Sequence, residues 1–274
     1  MTWRRSGHLT RLQDAAVDVA VVGGGIVGAG TALDLSARGA SVALVERHDF
    51  AAGTSSKSTK LIHGGIRYMP QLRFGLVREG LREQRVLAET ADYLYKPLDF
   101  VVPLYRGVSF GDLPKLLGHH RIVPTALRMG LFLYDRLGGR SQGHRRVGVA
   151  TTRELAPGLI TEGLRGAFVY QDAQTEDARL TIGVAKAAVA RDAIALNHAE
   201  VVAVEPAHPG YRLNVRDNLG DTTLTFTARA VVAAAGSCVP TTPPGAPPLQ
   251  LRYSRGTHLI TERADVGLAD SAVV

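Results

Sequence analysis

The sequence predicts an α/β fold built around a Rossmann-like domain, and three observations indicate it. An apolar run over residues 19–22 is typical of a buried parallel strand. A glycine turn at residues 23–28 follows at once, and a second apolar run over residues 41–45 ends in Glu46. Strand, glycine turn, helix and second strand in this order form a βαβ unit, the arrangement in which dinucleotides bind.

Three glycines of the turn, Gly23, Gly25 and Gly28, fit the pattern G-x-G-x-x-G. Each has its own role there: a tight bend, a close approach of the backbone to a pyrophosphate, and close packing of helix on strand. A helix is predicted from Ile26 to about Arg38, with its positive amino end facing the phosphates. The turn therefore predicts a dinucleotide site.

Glu46 stands about 20 residues beyond the glycines, at the end of the second strand. A carboxylate at this point accepts hydrogen bonds from both hydroxyls of an adenosine ribose. A structural glycine turn with a solvated Glu46 has the same letters, and that alternative stays open here.

Residues 54–68 read TSSKSTKLIHGGIRY. This run resembles the TSS-x-S-[ST]-K-LIHGG-[LI]-RY signature of the FAD-dependent glycerol-3-phosphate dehydrogenases. Shorter similarities follow in LRMGLFLYDRL, YQDAQTEDARL and LRYSRGTH, so the resemblance covers, with gaps, residues 18–262. It implies FAD as the cofactor, oxidation of sn-glycerol 3-phosphate to dihydroxyacetone phosphate by hydride transfer to flavin, and quinone as the electron acceptor.

The resemblance also implies a domain plan. The FAD-binding domain is expected to be glutathione-reductase-like, with a helical insert and the start of a mixed-sheet substrate domain. The expected bounds are 1–17 for a flexible N-terminal extension, 18–71 and 160–240 for the FAD-binding domain, 72–159 for a basic, mainly helical insert, and 241–274 for the incomplete substrate domain. Family members continue for about as long again, so we expect an N-terminal fragment with little turnover of its own.

Site residues follow from the same resemblance. Arg67 and Tyr68 are the substrate candidates, because a guanidinium offers a planar fork of donors to a phosphate or a developing alkoxide. His258 matches a histidine of the family and is the third catalytic candidate; structural roles are the alternatives for Arg67 and His258. The expected cofactor-binding residues are Gly23, Gly24, Gly25, Ile26, Val27, Gly28, Glu46, Arg47, Thr54, Ser55, Ser56, Lys60, Leu61, His63, Gly64, Gly65, Val201, Ala235 and Gly236.

The remaining elements follow from periodicity and turn chemistry. Predicted helices lie at 72–94, 125–140 and about 177–191, and Thr151–Glu154 fits a capping box before another short helix. Strands are predicted at 99–106, from 166, at 193–204, on both sides of a turn at 218–221, and at 228–236. Asp172, Asp177 and Arg179 are candidates for a structural polar network or for cap positions.

A net charge of +7 and a pI near 9.8 fit nucleic acid, an anionic bilayer or anionic substrates as partners. Nucleic acid is the least favoured, because no motif for it accompanies the charge. The basic stretch 112–147 has two interpretations, a buried helix with solvated arginines or a surface that rests on anionic lipid. No apolar run reaches the roughly 18 residues of a membrane span, so the expected location is the cytoplasm, peripheral to the cytoplasmic membrane at most.

Cys238 is the single cysteine of this sequence, so no internal disulfide can form. No metal cluster is expected. Residues 233–238 depart from the family, with AAAGSC in place of N-A-T-G-P-W, which weakens the inference of FAD binding. Two other functions therefore stay open: a different FAD-dependent oxidoreductase acting on an amine or hydroxy acid, and a non-catalytic remnant. A homodimer is expected only for the full-length family.

Overall fold

A computed structural model describes residues 3–107, 123–139, 143–237 and 256–274. Its α-helices are α1 (Arg5–Leu12), α2 (Ile26–Ala37), α3 (Phe74–Thr90), α4 (Val123–Gly138), α5 (Val149–Leu155), α6 (Asp177–Val189) and α7 (Arg263–Val266). Its strands are β1 (Ala16–Val22), β2 (Val42–Val45), β3 (Leu61–Ile62), β4 (Lys96–Tyr105), β5 (Arg145–Val147), β6 (Leu164–Gln174), β7 (Ile194–Leu196), β8 (Ala199–Pro206), β9 (Tyr211–Asp217), β10 (Thr222–Ala233) and β11 (Ser271–Val273). Short 3-10 helices cover Thr54–Ser56, Ile66–Tyr68 and Asp92–Leu94.

The chain divides into two compact units. The first unit comprises Met1–Thr59 and Glu176–Gly256, and the second comprises Lys60–Thr175 and Thr257–Val274. The division therefore falls at residues 59/60 and 175/176, where the sequence led us to expect 71 and 160. Residues 241–248 are rich in proline, which predicts a linker; this segment and Cys238 lie outside the described residues.

The first unit contains one sheet in the order β7-β2-β1-β10-β9-β8. Strands β7, β2, β1 and β10 pair in parallel, as predicted for β1 and β2, whereas β9 and β8 continue the sheet antiparallel. The strand β10 is long enough to belong to both parts, since Thr222–Ala228 pair with β9 and Thr227–Ala233 with β1. The hairpin predicted at 218–221 is confirmed.

Both faces of this sheet are covered, which explains the uninterrupted apolar runs of β1 and β2. On one face Val21, Val42 and Leu44 pack with the helices α2 and α6. On the other face Ala20 and Val45 pack with α1 and with the meander strands β8, β9 and β10. The alternation of adjacent residues between two cores is the period of a strand buried on both sides.

Residues 1–17 were expected to form a flexible extension, and the structure corrects this. The helix α1 packs against β7, with Leu12 fully buried. Trp3 Nε1 donates a hydrogen bond to the Ala195 carbonyl (3.2 Å), and the Ala195 N–H donates to His8 Nδ1 (3.1 Å). Because β7 is the edge strand, these side chains satisfy backbone groups that would otherwise be exposed at the sheet edge.

His8 gives the docking of α1 a pH dependence. Burial, and secondarily the charge of Arg11, lower the pKa of His8 below its usual value. A lowered folded-state pKa means that the stabilisation is present above about pH 6.5, the unfolded pKa, and is lost as the pH falls through the folded value. We expect acidification from pH 7.5 to 5 to loosen α1.

The fluorescence of Trp3, the only tryptophan, measures this loosening directly. Its emission should shift to longer wavelength as the pH falls in the natural chain. In the variant His8→Gln, which cannot gain that charge, the shift between the same pH values should be much smaller. An equal shift in both proteins would contradict the assignment to His8.

The second unit contains a sheet in the order β11-β4-β6-β3, with β5 also paired to β6. Strands β4 and β6 run antiparallel along almost their whole length. Within the described ranges residues 72–159 are mainly helical, as expected. They are not an insert, however, because they contribute β4, a central strand of this sheet. The strand β6, expected in the FAD-binding domain, likewise belongs here because its pairing partner is β4.

Helices α3 and α4 pack on each other and on this sheet through Val77, Leu81, Leu131 and Tyr134. The opposite face of α4 exposes three apolar side chains, listed with their exposed fractions: Met129 69%, Phe132 58% and Leu133 38%. One face of α4 is therefore buried, as the first interpretation predicts, and the other face is exposed; whether that face rests on lipid stays a prediction. None of the helices in the described ranges is long and apolar enough to cross a bilayer.

The predicted capping box at Thr151–Glu154 is wrong. The helix α5 starts at Val149 with Gly148 as its N-cap residue. The Thr152 hydroxyl donates to the Gly148 carbonyl four residues earlier (2.8 Å). A threonine inside the first turn uses its hydroxyl in this way, which the letters alone do not distinguish from a cap.

Candidate functional site

The glycine turn follows β1 directly and has a conformation that requires its first glycine. Gly23 has a φ of +114°, and a Cβ atom there would lie 2.4 Å from the Ala234 carbonyl oxygen. Its N–H donates to the Val45 carbonyl oxygen (2.8 Å). The turn thus lies in close contact with the carboxyl ends of β2 and β10.

The third glycine lets α2 approach this turn. A Cβ atom on Gly28 would lie 1.8 Å from the Gly23 carbonyl oxygen, far inside any real contact. The middle glycine, Gly25, is the N-cap residue of α2, and its Cβ would lie 3.1 Å from Ser55 Oγ. The structure confirms the expected bend and the expected close packing, and it leaves little room for a side chain at Gly25.

The amino end of α2 faces outward and is provided with donors. Ile26 and Val27 are exposed (39% and 67%), and the Ile26 N–H donates to Ser55 Oγ (2.9 Å). Ser55 lies in the 3-10 helix Thr54–Ser56 within the same unit. Helix N-terminal amides and the helix dipole favour an anion at this end.

The carboxylate of Glu46 is held beside the turn. Glu46 Oε2 accepts from the Gly24 N–H (2.6 Å) and Oε1 accepts from the His48 N–H (2.8 Å). A carboxylate has about four acceptor sites, so two bonds leave capacity for a pair of hydroxyls. Glu46 is half-buried and therefore still accessible.

Of the other cofactor-binding residues predicted in the first unit, some lie beside this turn and others do not. The Ala234 N–H donates to the Val22 carbonyl (2.8 Å), so Ala235 and Gly236 follow immediately beside Gly23. Arg47 is exposed. Val201 lies on β8, pairs with Val215, and packs against the core that contains α1.

The polar network expected around Asp177 is present. Ser58 donates to Asp177 Oδ2 from its N–H (3.1 Å) and its hydroxyl (2.8 Å), at the start of α6. Asp177 Oδ1 also accepts from the Ala178 N–H (2.9 Å). Asp177 therefore ties Ser58 to the start of α6. Arg179, the other candidate on this helix, is exposed.

The run 54–68 continues into the second unit. Lys60 has a φ of +59° and its carbonyl accepts from the Thr175 N–H (2.8 Å). Leu61 and Ile62 form β3, which pairs with Ala173 and Gln174 of β6. His63 is exposed, whereas the next two residues, Gly64 and Gly65, are buried.

A buried polar cluster, formed by Gln84, Tyr134 and Asp172, holds this segment. The three residues are at most 3% exposed. Tyr134 Oη accepts from the Gly64 N–H (2.9 Å) and bonds to Asp172 Oδ1 (2.9 Å). Gln84 Nε2 donates to the Ile62 carbonyl (2.8 Å) and to Asp172 Oδ1 (3.1 Å).

Only Asp172 of this cluster was anticipated from sequence. Gln84 and Tyr134 lie in the helices predicted at 72–94 and 125–140, where their spacing places them among the apolar residues. The signal was available, because a glutamine at helical spacing among leucines needs a buried partner if it faces the core.

Arg67 and Tyr68 lie side by side after the glycines. The Arg67 guanidinium donates to Tyr68 Oη (3.3 Å) and its carbon lies 5.2 Å from the centre of the Tyr68 ring. The hydrogen bond from Arg67 and its charge lower the pKa of the Tyr68 hydroxyl. Arg67 is exposed, and so is His258, which shares no hydrogen bond with this pair. The pair can present two adjacent donors to an anion.

The described residues contain no group of three or more His, Cys, Asp or Glu side chains arranged to hold a metal ion. The donors around the glycine turn are backbone amides and hydroxyls, and the acceptor is the Glu46 carboxylate. These groups suit a nucleotide phosphate and ribose.

Comparison with known proteins gives a consistent result. The family model described as FAD dependent oxidoreductase matches residues 18–273. The aerobic glycerol-3-phosphate dehydrogenase of Staphylococcus saprophyticus is 36% identical over 277 residues, covering 98% of this chain and 48% of that protein. The chain therefore spans about half the length of this relative.

Solved structures show the same fold. The glycerol-3-phosphate dehydrogenase of Bacillus halodurans, complexed with FAD, superposes with a TM-score of 0.62 at 31% identity, over 85% of this chain and 37% of that one. The glycine oxidase of Geobacillus kaustophilus has a TM-score of 0.52 at 23% identity, over 81% of this chain and 56% of that one. The second likeness concerns the fold alone.

Proposed function

The chain belongs to the family of FAD-dependent oxidoreductases, and on that premise we propose that it is the FAD-binding part of an enzyme that oxidises sn-glycerol 3-phosphate to dihydroxyacetone phosphate. The observation that carries the proposal is the glycine turn, in which Gly23 and Gly28 leave no room for a Cβ atom. The sequence likeness to glycerol-3-phosphate dehydrogenases supports the substrate.

The residues of the first unit fit the nucleotide half of FAD. The amino end of α2 offers amides to the pyrophosphate, and the Ser55 hydroxyl is within reach of the same end. Glu46 keeps acceptor capacity for the ribose hydroxyls. The departure of residues 233–238 from the family does not remove this fit, because the Ala234 carbonyl and the Ala235 N–H that meet Gly23 are backbone groups.

The remaining cofactor assignments belong to the proposal as well. Thr54, Ser56 and Lys60 supply polar groups along the cofactor, and the backbone of Val201 is assigned to the adenine. The segment of Leu61, His63, Gly64 and Gly65 is assigned to the surroundings of the flavin ring, where glycines let backbone approach a flat surface.

Flavin, when bound, supplies the ring that takes up the hydride from C2 of the substrate. The chain's own residues bind and orient. Arg67 offers a planar fork to the substrate's phosphate or to the developing alkoxide, and the adjacent Tyr68 hydroxyl adds a donor. Because Arg67 lowers its pKa, this hydroxyl is also a stronger hydrogen-bond donor. His258 stays a candidate for the proton transfer.

The location and the electron acceptor are finer parts of the proposal. The exposed face of α4 carries apolar side chains beside Arg128 and Arg136, a composition that suits the surface of an anionic membrane. A cytoplasmic protein held peripherally at that membrane can pass electrons to quinone. Quinone and a homodimer rest on the family resemblance alone.

An absorption spectrum of the purified chain, followed by anaerobic glycerol 3-phosphate, tests the proposal. We expect flavin bands; bleaching by glycerol 3-phosphate would establish the substrate. Bands that persist with glycerol 3-phosphate but bleach with an amine or a hydroxy acid would favour the alternative oxidoreductase. Bands that no substrate bleaches would confine the proposal to cofactor binding, and a chain without flavin would contradict it.

Glu46 offers a more specific test of the ribose assignment. Replacing Glu46 with alanine should weaken FAD binding about 10- to 100-fold, because hydrogen bonds to a charged acceptor contribute roughly 1.5–3 kcal/mol. Titration of the apoprotein with FAD measures this, followed by flavin fluorescence. Glu46→Gln keeps one acceptor oxygen and should lose less affinity. Unchanged FAD affinity in Glu46→Ala would remove Glu46 from the site.

A further inference from the structure

The buried polar cluster of Gln84, Tyr134 and Asp172 has no role in the chemistry described so far. It comes from three elements of the second unit, α3, α4 and β6, and its side chains bond to a fourth segment. Burying polar groups costs free energy unless every group is paired, so polar side chains in a core need specific partners. The backbone groups that these side chains bind therefore indicate why the cluster is polar.

The cluster holds the peptide groups on both sides of His63. Gln84 donates to the carbonyl of Ile62, and the N–H of Gly64 donates to Tyr134 Oη. A Cβ atom on Gly64 would lie 2.4 Å from that hydroxyl oxygen, so the contact requires glycine. The exposed His63 side chain therefore lies between two peptide groups that are hydrogen-bonded to buried side chains.

Asp172 sets the direction of the Tyr134 hydroxyl. A phenol has one proton, and Tyr134 Oη lies 2.9 Å and 3.0 Å from the two oxygens of Asp172. The hydroxyl donates to Asp172 and accepts from the Gly64 N–H, so its lone pairs face that N–H. Each member of the cluster therefore determines the bonding of the next.

We propose that Tyr134, oriented by Asp172, is a positioning residue that fixes the Ile62–Gly65 backbone against the flavin ring and so tunes the bound flavin. Gln84 anchors the other side of the same segment. This inference rests on the proposed function, because it assumes that flavin binds beside that segment.

Tyr134→Phe, made in the full chain, removes the acceptor for Gly64 and the donor to Asp172 while keeping the ring. Without cofactor, backbone hydrogen exchange over residues 61–68, read by mass spectrometry, should become about tenfold faster. With cofactor, we expect the visible flavin bands and the midpoint potential, measured against a reference dye, to shift from the wild-type values.

Tyr170→Phe is the matched control. Tyr170 is 4% exposed in the same core and stacks on Phe100 at 5.2 Å between ring centres. The two bonds that anchor the Ile62 carbonyl and the Gly64 N–H are made by Gln84 and Tyr134, so Tyr170→Phe leaves both in place. It should lower the melting temperature without shifting the flavin bands or the potential. A purely structural role for Tyr134 predicts the same pattern for both variants.

Wild-type bands and potential in Tyr134→Phe, with unchanged exchange over 61–68, would overturn the inference even if the variant were less stable. If that variant does not fold, Gln84→Met, which removes the bonds to the Ile62 carbonyl and to Asp172, should give a smaller shift in the same direction. The absence of a shift would overturn the inference. A wild-type chain without flavin would instead overturn the proposed function first.

Discussion

Replacing Gly28 with alanine is expected to abolish retention of flavin and to destabilise the first unit by about 3 kcal/mol or more. The added Cβ would lie 1.8 Å from the Gly23 carbonyl oxygen, which is backbone and cannot rotate away. Overpacking typically costs about 1–3 kcal/mol, and more where the neighbour is rigid. Either α2 must move away from the turn or the turn must open, and both changes displace the amides assigned to the pyrophosphate.

The matched control lies two residues further along the same helix. A Cβ on Gly30 meets nothing within 4 Å, and alanine is favoured over glycine in a helix by about 0.8–1 kcal/mol. Gly30→Ala should therefore keep its flavin and unfold at equal or higher denaturant concentration. Flavin absorbance per protein and urea unfolding measure both variants. A flavin-replete Gly28→Ala protein would show that the turn does not bind the cofactor in this geometry.

Replacing Arg5 with methionine is expected to cost about 2–3 kcal/mol and to release α1. Arg5 forms a bidentate ion pair with Asp217, whose side chain is only 3% exposed, and donates to the carbonyls of Asn197 and His198. Removing one partner leaves a buried carboxylate without its countercharge, which is the costly way to break such a pair. Because the Arg5 side chain is 25% exposed, the expected loss of unfolding free energy is smaller than for a fully buried pair.

The hydrogen bond from Arg5 is the main reason why the pKa of Asp217 is lowered. A lowered carboxyl pKa stabilises the fold above about pH 4, the unfolded value, and this contribution is lost as the pH falls through the folded value. The loss of unfolding free energy in Arg5→Met, relative to wild type, should therefore be largest at pH 7 and become smaller as the pH falls. Urea unfolding, followed by Trp3 fluorescence, measures it.

Two further variants decide the interpretation. Arg11→Met makes the same change on the same helix, at an exposed arginine that bonds one carbonyl, and should cost less than about 0.5 kcal/mol. The double variant Arg5→Met with Asp217→Asn should recover part of the loss, because it removes the unpaired charge. Equal losses in Arg5→Met and Arg11→Met would mean that the ion pair does not hold α1.

Features that depend on local sequence were predictable. The order of β1, glycine turn, α2 and β2 follows from a few adjacent residues, because strand burial, turn conformation and helix start are each set within about ten positions. The hairpin between β9 and β10 was predictable for the same reason. Glu46 was placed beside the turn correctly, since parallel strands bring their carboxyl ends to one edge.

Features that depend on distant pairing were not predictable. Nothing in the letters of β6 states that it pairs with β4 and not with the dinucleotide-binding sheet, so the domain bounds were expected at the wrong residues. The helix α1 was missed because its mean polarity resembles that of a loose terminus. Its order comes from Arg5, Trp3 and His8, whose partners lie more than 180 residues away.

The sequence by itself determined the residues of the glycine turn, because the physical demands on those positions are local: no side chain at Gly23 or Gly28, an acid at the end of β2. The family and the cofactor class followed from the resemblance of residues 54–68 to a known signature. The tertiary structure alone decided that Gln84, Tyr134 and Asp172 meet around Gly64, and that α1 closes the free edge of β7. Hydrogen bonds between buried groups depend on distances and angles to partners far away in the chain, and those exist only once the elements have packed.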